Sequence, residues 1–405
     1  MSTTKPQPHV PSPECPASLA TADLDLHYLA EGAANIIYGV SVRSPSTLRN
    51  HSHCCVMRLR KDLPSTKPVV QVTSEFESRI APLFANTSRG GPHDSLLLTQ
   101  SLYRLTPAMV RDLNDELHEM ETENDPHIIL SSSSSSPDTK NPRTGLPSID
   151  RRHPPRPHHR RHKYLPSYEH EQYGVLMQNL QGPSIDRLVE FKPKWLVQSP
   201  SAPSGAKSCR TCALNAMRRS GSQSHQGRGD SGFCPLDLLE QDHVLNRALD
   251  NIWPVELSRG EAGAFSGFVA QFKAKVQPAL YHLRRLQREH GAVGIHDFLN
   301  PSLVDGDEFG LAMALRDCSC FVALKRCQHH DNATVNVNED GVGGDTDGGG
   351  GGDGVVVDVI DVKFADLDLK STGGGKLEKW AAMEQSLLDG GWYTRSDLGC
   401  ALSRV

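Results

Sequence analysis

Three stretches of this chain are too poor in apolar residues to build a hydrophobic core, and they limit where folded structure can lie. Residues 1–20 are rich in Pro, Ser and Thr, 122–165 contain six consecutive serines, and 341–354 contain nine Gly and three Asp. Such segments bury too little apolar surface to offset the entropy of ordering them. We therefore expect a disordered tail, a low-complexity insertion and a flexible loop at these three places.

Composition excludes several classes of protein. The chain has 405 residues with 37% hydrophobic residues, and it contains no run of 18 apolar residues, so no membrane-spanning helix is expected. Its first residues lack the apolar core of a secretory signal, and its ten cysteines, scattered as singles and close pairs, do not form a disulfide framework. We expect an intracellular monomer in the nucleus, the cytoplasm or both, without a membrane partner. The net charge is only −5, so any polyanion must be recognised by a local cluster of cations.

The remaining segments predict an α+β fold with two lobes. Short β-rich runs separated by turn residues indicate an antiparallel sheet in the first lobe. These strands are predicted at 24–28, 36–42, 54–59 and 174–180. Helices are predicted from 107 and at 238–252 and 268–286, and late strands at 318–324 and 355–365. The first lobe is expected over 21–182 and the second over 183–405.

Two segments of the first lobe fit phosphate binding. Glu31–Asn35 lies between two predicted strands, and its small residues let backbone N–H groups approach a phosphate. Taken alone, this segment is better explained by an ordinary hairpin turn. Val56–Lys61 alternates apolar and basic residues, so Arg58 and Arg60 share one strand face. A cation on this strand holds nucleotide phosphates in kinase-like folds, although a solvated strand face has the same pattern.

Two features of the second lobe fit the other half of a phosphoryl transfer. Lys192 and Lys194 flank Pro193, and two ammonium groups held in this way can clamp adjacent phosphates. Asp317 precedes one predicted strand, while Asp366 follows another. Acids at strand ends suit a catalytic base and a magnesium ligand.

Taken in order, these segments resemble the inositol-pentakisphosphate 2-kinase family. The matching blocks are Glu31–Asn35, Val56–Lys61, Glu190–Lys194, Cys234–Leu238, Arg316–Ser319 and Asp366–Lys370. The Glu-x-Lys-Pro-Lys element is the most specific of them. The resemblance implies a protein-kinase-like fold, with a small antiparallel-sheet N-lobe and a larger mixed C-lobe that carries inositol-phosphate-binding insertions. It also implies transfer of the ATP γ-phosphate to the 2-hydroxyl of inositol 1,3,4,5,6-pentakisphosphate, which gives inositol hexakisphosphate (phytate) and ADP.

The resemblance assigns roles residue by residue. ATP is expected at Glu31, Gly32, Ala33, Ala34, Asn35, Arg58, Gln178 and Asn179. Substrate phosphates are expected at Lys192, Lys194, Arg210, Arg218, Lys370 and Lys376. Asp317 takes the place of the base that accepts the hydroxyl proton, and Asp366 and Asp368 take the place of the Mg²⁺ ligands. After Lys370 the family usually has a longer basic and aromatic stretch. This chain differs, because it has a short Gly-rich segment from Ser371 to Gly375 there.

The sequence predicts no structural zinc. Some members of the family bind zinc through a His…Cys-x-x-Cys…His arrangement, but no Cys-x-x-Cys occurs between residues 250 and 330. Cys209 and Cys212 do have a ligand spacing, yet no second half follows at a standard spacing. The partners considered for this pair are Cys318, Cys320, Cys327, His329 and His330.

Other functions find less support. A protein kinase should carry His-Arg-Asp and Asp-Phe-Gly motifs, and neither tripeptide occurs. The run Arg151–Lys163 has five Arg and no acid, but it has no interleaved aromatic residues for base stacking. A solvated loop or a nuclear address explains it better than nucleic-acid binding. A catalytically weak inositol-phosphate-binding module and a kinase for other inositol phosphates remain alternatives.

Overall fold

The protein is a mixed α+β structure with antiparallel sheets, as predicted from the sequence. The computed structural model describes residues 17–64, 66–85, 96–122, 156–181, 185–221, 232–253, 264–295, 297, 300, 306–328 and 355–404. The expected serine-rich segment and the Gly/Asp-rich loop lie outside these residues, as does the tail up to residue 16. Two compact units are present, one formed by 1–82 with 98–182 and the other by 83–97 with 183–405. No helix within the described ranges is long and apolar enough to cross a membrane.

The first unit is built on a five-stranded antiparallel sheet with the order β1-β2-β3-β5-β4. Its strands are β1 (Asp23–Glu31), β2 (Asn35–Ser44), β3 (Cys55–Arg60), β4 (Gln100–Arg104) and β5 (Tyr173–Gln178). Its helices are α1 (Val69–Glu75), which continues through a π-helical turn (Phe76–Ile80) into α2 (Ala81–Phe84), and α3 (Pro107–Thr122). The predicted strands all form. α3 begins as predicted, because Pro107 suits the first helical position and Thr106 Oγ1 accepts a hydrogen bond of 3.1 Å from the Met109 N–H.

Alternation along β3 sets the two faces of this sheet. Cys55, Met57 and Leu59 are buried in the core of the unit, against Leu113 and Leu117 of α3. The intervening positions point to the opposite face, because successive strand residues alternate. The basic residues of β3 therefore lie on the face away from this core.

The second unit contains a three-stranded antiparallel sheet with the order β6-β7-β8. Its strands are β6 (Arg187–Phe191), β7 (Ser319–Gln328) and β8 (Val355–Ala365). Its helices are α4 (Arg210–Gly221), α5 (Asp242–Asp250), α6 (Ala264–Gln271), α7 (Gln277–Glu289), α8 (Gly306–Asp317) and α9 (Lys376–Asp389). The predicted strand at 355–365 matches β8 along its whole length.

The helices of this unit differ from the prediction in two places. The helix predicted over 268–286 is interrupted by a π-helical turn, Phe272–Val276, and Pro278 falls in the first turn of α7, where a missing N–H is tolerated. Helix α8 has no counterpart among the helices predicted from the sequence. Every residue from Phe309 to Arg316 is buried, so α8 has no polar face to create a helical period.

Candidate active site in the second unit

Three strand ends meet at one edge of the second sheet. Phe191, the last residue of β6, pairs with Cys320 near the start of β7. Ser319, the first residue of β7, pairs with Ala365, the last residue of β8. Because neighbouring strands are antiparallel, the residues after β6, before β7 and after β8 are brought together. This register assembles the predicted site from segments that are distant in sequence.

Three lysines and two aspartates form the cluster at this edge. Lys192 Nζ lies 2.9 Å from an Asp366 carboxylate oxygen and also donates to the Asp317 backbone carbonyl, at 2.6 Å. Lys194 Nζ lies 3.0 Å from Asp317 Oδ1. Lys370 Nζ lies 3.2 Å from Asp366 and 3.9 Å from Asp317 Oδ2. The structure therefore brings together the two lysines of the clamp, the expected base and one expected metal ligand.

The charges of the cluster reinforce one another. Burial raises the pKa of the Asp317 carboxyl, but the Lys194 and Lys192 ammonium groups outweigh this effect and hold the pKa below its ordinary value. Burial lowers the pKa of Lys192, and the Asp366 and Asp317 carboxylates outweigh it and raise the pKa above its ordinary value. Asp317 is therefore ionised and Lys192 protonated at neutral pH.

Two residues of the cluster adopt left-handed backbone conformations. Lys194 has a φ of 56° and Asp366 a φ of 57°, a region that L-residues other than Asn and Asp rarely occupy. The sequence predicted an extended segment that would send both lysines to one side. The structure instead turns the chain at Lys194, and both Nζ atoms still approach Asp317. Non-glycine residues held in this conformation are concentrated at functional sites.

A cationic cavity of about 240 Å³ adjoins the cluster. Lys194, Asp317 and Lys370 line it, as do Arg210 and Arg218 from the two ends of α4. Arg218 is exposed at the end of α4, whereas Arg210 is buried. Four of the six residues expected to bind substrate phosphates therefore share one cavity.

Arg210 is held in place by contacts that the sequence did not indicate. Its Nε donates to Glu384 at 2.8 Å, and its guanidinium lies over the Trp195 ring, 4.6 Å from the centroid. Arg316 stacks on the same ring at 3.8 Å. Burial lowers the pKa of Arg316 to about 9, and the neighbouring Arg210 charge adds to this effect. Glu384 lies on α9 and Trp195 lies in the segment after β6. Although they are far apart in sequence, together they hold the Arg210 guanidinium in place beside the cavity.

The remaining predicted residues follow β8. The Lys370 N–H donates to the Gly310 carbonyl at 3.2 Å, and a Cβ at Gly310 would lie 2.7 Å from the Lys370 carbonyl oxygen. Helix α8 can therefore approach Lys370 this closely only because residue 310 lacks a side chain. Lys376 is turned toward Ser371, whose Oγ lies 2.9 Å from its Nζ. Asp368 is half-buried.

In the first unit, the predicted phosphate turn contains a buried acid. The Glu31 side chain is fully buried and is ion-paired with Lys61 and with Arg156, whose Nε lies 2.9 Å away. Arg156 also pairs with Glu121. The expected role of this turn in nucleotide binding therefore rests on the backbone of residues 32–35 and not on the Glu31 carboxylate.

Arg156 belongs to the basic run Arg151–Lys163, whose composition favours a solvated loop or a nuclear address. The part of this run from 156 onward is instead integrated into the first unit. Arg156 is 2% exposed, and its Nη2 donates to the carbonyl of Lys163 at 2.9 Å. Its guanidinium is stabilised by two carboxylates, which is why a strongly basic segment can enter the interior.

The other predicted nucleotide residues lie on β3 and at the end of β5. Arg58 is half-buried on the face of β3 opposite the core, and it pairs in register with Ile37 and Val175. Gln178 is buried at the end of β5. The Asn179 N–H donates to the Cys54 carbonyl at 2.7 Å. Arg60, on the same face as Arg58, is paired with Glu171 at 2.7 Å.

A sheet edge that carries three lysines and two carboxylates beside a cationic cavity has an arrangement of charges that suits a densely charged anion. The sequence profile of the inositol-pentakisphosphate 2-kinase family matches residues 28–289 and 284–386, and the chain belongs to this family. It is similar to a protein of Yarrowia lipolytica (strain CLIB 122 / E 150) described as inositol-pentakisphosphate 2-kinase, with 31% identity over 216 residues. The matched region covers 53% of this chain and 56% of that protein, so the chain spans about half the length of the relative.

Proposed function

We propose that this protein transfers the γ-phosphoryl group of ATP to the 2-hydroxyl of inositol 1,3,4,5,6-pentakisphosphate, which gives inositol hexakisphosphate and ADP. The observation that carries the proposal is the position of Asp317, an ionised carboxylate among three lysines at the mouth of a cationic cavity. Family membership supports the same reaction.

The cavity suits a ligand with several phosphates. Each phosphate bound by a cation gains charge-assisted hydrogen bonds worth about 1.5–3 kcal/mol apiece. Lys194, Lys370, Arg210 and Arg218 line the cavity, and Lys192 stands beside it. The net charge of the chain is only −5, so a polyphosphate has to be recognised by a local group of cations such as this one.

Asp317 is proposed to act as the general base. Its pKa is held below the ordinary value, so the carboxylate is ready to accept the proton of the attacking hydroxyl. When substrate phosphates take up the lysine contacts, the Asp317 carboxylate loses these partners and becomes more basic. A positioned base of this kind contributes about 10²- to 10⁴-fold to a rate.

Asp366 and Asp368 fit the proposed Mg²⁺. They lie two residues apart directly after β8, and the Asp366 carboxylate is 47% exposed, so its oxygen atoms are accessible to a hard cation. When bound, Mg²⁺ neutralises charge on the phosphoryl oxygens. Lys192, which contacts both Asp317 and Asp366, would keep the base and the metal ligand in register.

ATP is proposed to bind the first unit in a protein-kinase-like manner. The support is a five-stranded antiparallel sheet with a glycine-containing turn between β1 and β2 and a basic residue, Arg58, on β3. The Gly32 N–H donates to the Asn35 carbonyl at 2.8 Å, so the backbone N–H groups of residues 33–35 would bind the phosphates, and Gln178 and Asn179 would receive the adenine.

The test is ATP-dependent conversion of inositol 1,3,4,5,6-pentakisphosphate, followed by anion-exchange separation, for wild type and Asp317→Asn. The matched control is Glu308→Gln, an exposed acid at the other end of the same helix. We expect hexakisphosphate from wild type and control, and a loss of about 10²- to 10⁴-fold in the variant with substrate binding retained. Full activity of Asp317→Asn would reject the base. Binding by wild type without turnover would reject the kinase and leave an inositol-phosphate-binding module.

A further inference from the structure

Arg316 is a buried cation in the wall of the cationic cavity. It lines the cavity together with Asp317, and it is only 1% exposed. Both residues lie at the end of α8, so the backbone places this guanidinium in the same wall as the proposed base. None of the roles that the family resemblance assigns falls on Arg316.

The contacts of the Arg316 guanidinium leave its charge without a carboxylate. Its Nη2 donates to the Gly291 carbonyl, and its Nη1 donates to the Val293 carbonyl at 3.3 Å. Within the described ranges, no ion pair joins Arg316 to a carboxylate, and its Nε has no hydrogen-bond partner. The neighbouring acid, Glu384, is paired with Arg210 instead. A buried charge in this situation carries an uncompensated desolvation cost.

An aromatic ring and a second cation lie beside the Arg316 guanidinium. The Cζ atom of Arg316 lies 3.8 Å from the centroid of the Trp195 ring, and that of Arg210 lies 4.6 Å from the same centroid. The face of the ring attracts a cation but carries no net charge. Burial, with the positive charge of Arg210 acting in the same direction, lowers the pKa of Arg316. The guanidinium is therefore short of negative charge while the cavity holds no ligand.

A role in the fold explains only part of this arrangement. The two carbonyls that Arg316 binds follow α7, so the side chain fastens the end of that helix to α8. A neutral donor could bind the same carbonyls without placing a charge in the interior. The cavity accounts for the charge, because Asp317 is the only acid among its described lining residues. A bound polyanion would supply the negative charge that Arg316 lacks.

We propose that Arg316 is a specificity-determining residue whose buried charge favours the inositol phosphate that carries the most phosphates. This inference rests on the proposed function, because it concerns recognition of the substrate in the same cavity. The attraction between a fixed charge and a ligand grows with the charge of the ligand, and it is stronger in a buried site than in water. Arg316 would be the fifth cation of the cavity, after Lys194, Lys370, Arg210 and Arg218.

The test compares Arg316→Gln with Arg316→Lys in the full chain. Both new side chains can donate to a backbone carbonyl, but only lysine keeps the positive charge. Isothermal titration would measure the affinity of each variant for inositol 1,3,4,5,6-pentakisphosphate and for inositol 1,4,5,6-tetrakisphosphate. The matched control is Arg288→Gln, which removes an exposed arginine of α7 that is not among the described residues lining this cavity.

The preference for the pentakisphosphate over the tetrakisphosphate is the decisive quantity. Arg316→Gln should weaken binding of the pentakisphosphate at least about tenfold and binding of the tetrakisphosphate less, so that the preference falls at least about threefold. Arg316→Lys should retain the preference within about twofold, and Arg288→Gln should change neither affinity by more than about twofold. In the kinase assay, Arg316→Gln should raise KM and leave kcat within about threefold, because it removes binding that the ground state and the transition state share.

The outcomes separate this inference from the proposed function. Equal losses of preference in the glutamine and lysine variants, or an unchanged preference in the glutamine variant, would reject the inference and leave the proposed function standing. A fall in kcat with KM unchanged would show that Arg316 positions Asp317, and it would also reject the inference. Wild-type protein that does not bind the pentakisphosphate would reject both.

A measurement on the wild type decides the matter if the glutamine variant does not fold. The NMR signal of the Arg316 Nε–H group should move when the pentakisphosphate binds, and it should move less with the tetrakisphosphate. A signal that does not respond, or that responds equally to the two ligands, would overturn the inference.

Discussion

The buried acid of the first unit offers a sharp test of whether Glu31 supports the fold or contacts a nucleotide. Its carboxylate, which is fully buried, is shared by the Lys61 ammonium and the Arg156 guanidinium. Lys61 Nζ also donates to the Gly32 carbonyl at 3.0 Å. Glu31→Gln keeps the shape of the side chain and removes its charge.

The expected cost follows from burial. Breaking a buried ion pair by neutralising one partner costs about 3–5 kcal/mol, because the other charge is left uncompensated. Burial already lowers the pKa of Lys61 against the opposing effect of Glu31, so removing the acid lowers it further. A folded-state pKa below the unfolded value means that the unfolded chain binds more protons, and stability rises with pH. The deficit relative to wild type should therefore be largest below the Lys61 pKa of the variant, and it should shrink as the pH rises from that pKa to the Lys61 pKa of the wild type, which is itself below the ordinary value.

The assay is hydrogen exchange of peptides covering β2 and β3. The expected loss corresponds to an acceleration of about two to three and a half powers of ten. Glu77→Gln, an exposed acid in the same unit, is the control and should change stability by less than about 0.5 kcal/mol. All four tryptophans lie in the second unit, so their fluorescence monitors that unit separately.

One result would refute the reasoning. If Glu31→Gln leaves exchange in β2 and β3 at the wild-type rate and instead weakens ATP binding, the carboxylate serves the nucleotide and not the fold. The ion pairs of Glu31 with Lys61 and Arg156 would then not stabilise this part of the fold.

Three further predictions concern the site. Gly310→Ala should weaken pentakisphosphate binding, because its Cβ would press on the Lys370 carbonyl, whereas Gly306→Ala, whose Cβ has only an ordinary contact at 4.0 Å, should not; isothermal titration of both variants checks this. The Lys370 charge lowers the pKa of Asp317, so Lys370→Met should raise that pKa and move the NMR titration of the Asp317 carboxyl to higher pH. An unchanged titration would contradict an electrostatic interaction between Lys370 and Asp317. Lys194→Gly should be about 1 kcal/mol more stable in urea than Lys194→Ala, because only glycine relieves the left-handed backbone, and both should bind substrate more weakly.

Local patterns were enough to find most of the sheet strands. Alternation and turn residues predicted β1, β2, β3, β5, β7 and β8, because a half-buried strand records its two faces in the order of its residues. Helix α8 left no such record, since nearly all of it is buried. The prediction failed where burial removed the polar face on which a helical period depends.

The basic run shows the limit of reading charge from composition. Arg156 belongs to a segment with five Arg and no acid, and this pattern favours solvent. Glu31 and Glu121, both distant in sequence, take it into the interior. The compensating charges are invisible to any local window.

The sequence by itself determined the family, and it supplied the residues that we propose for the phosphate chemistry. The Glu-x-Lys-Pro-Lys element, Asp317 and the Asp366–Lys370 segment are recognisable because their types and order are local properties of the chain. Only the tertiary structure decided that Lys192, Asp317 and Asp366 share one sheet edge. The same is true of four buried cysteines whose sulfur atoms lie within 4.8 Å of one another, Cys209, Cys212, Cys234 and Cys400. These contacts depend on the antiparallel register of the strands and join residues more than a hundred positions apart in sequence. Short-range periodicity in the sequence predicts neither of these properties.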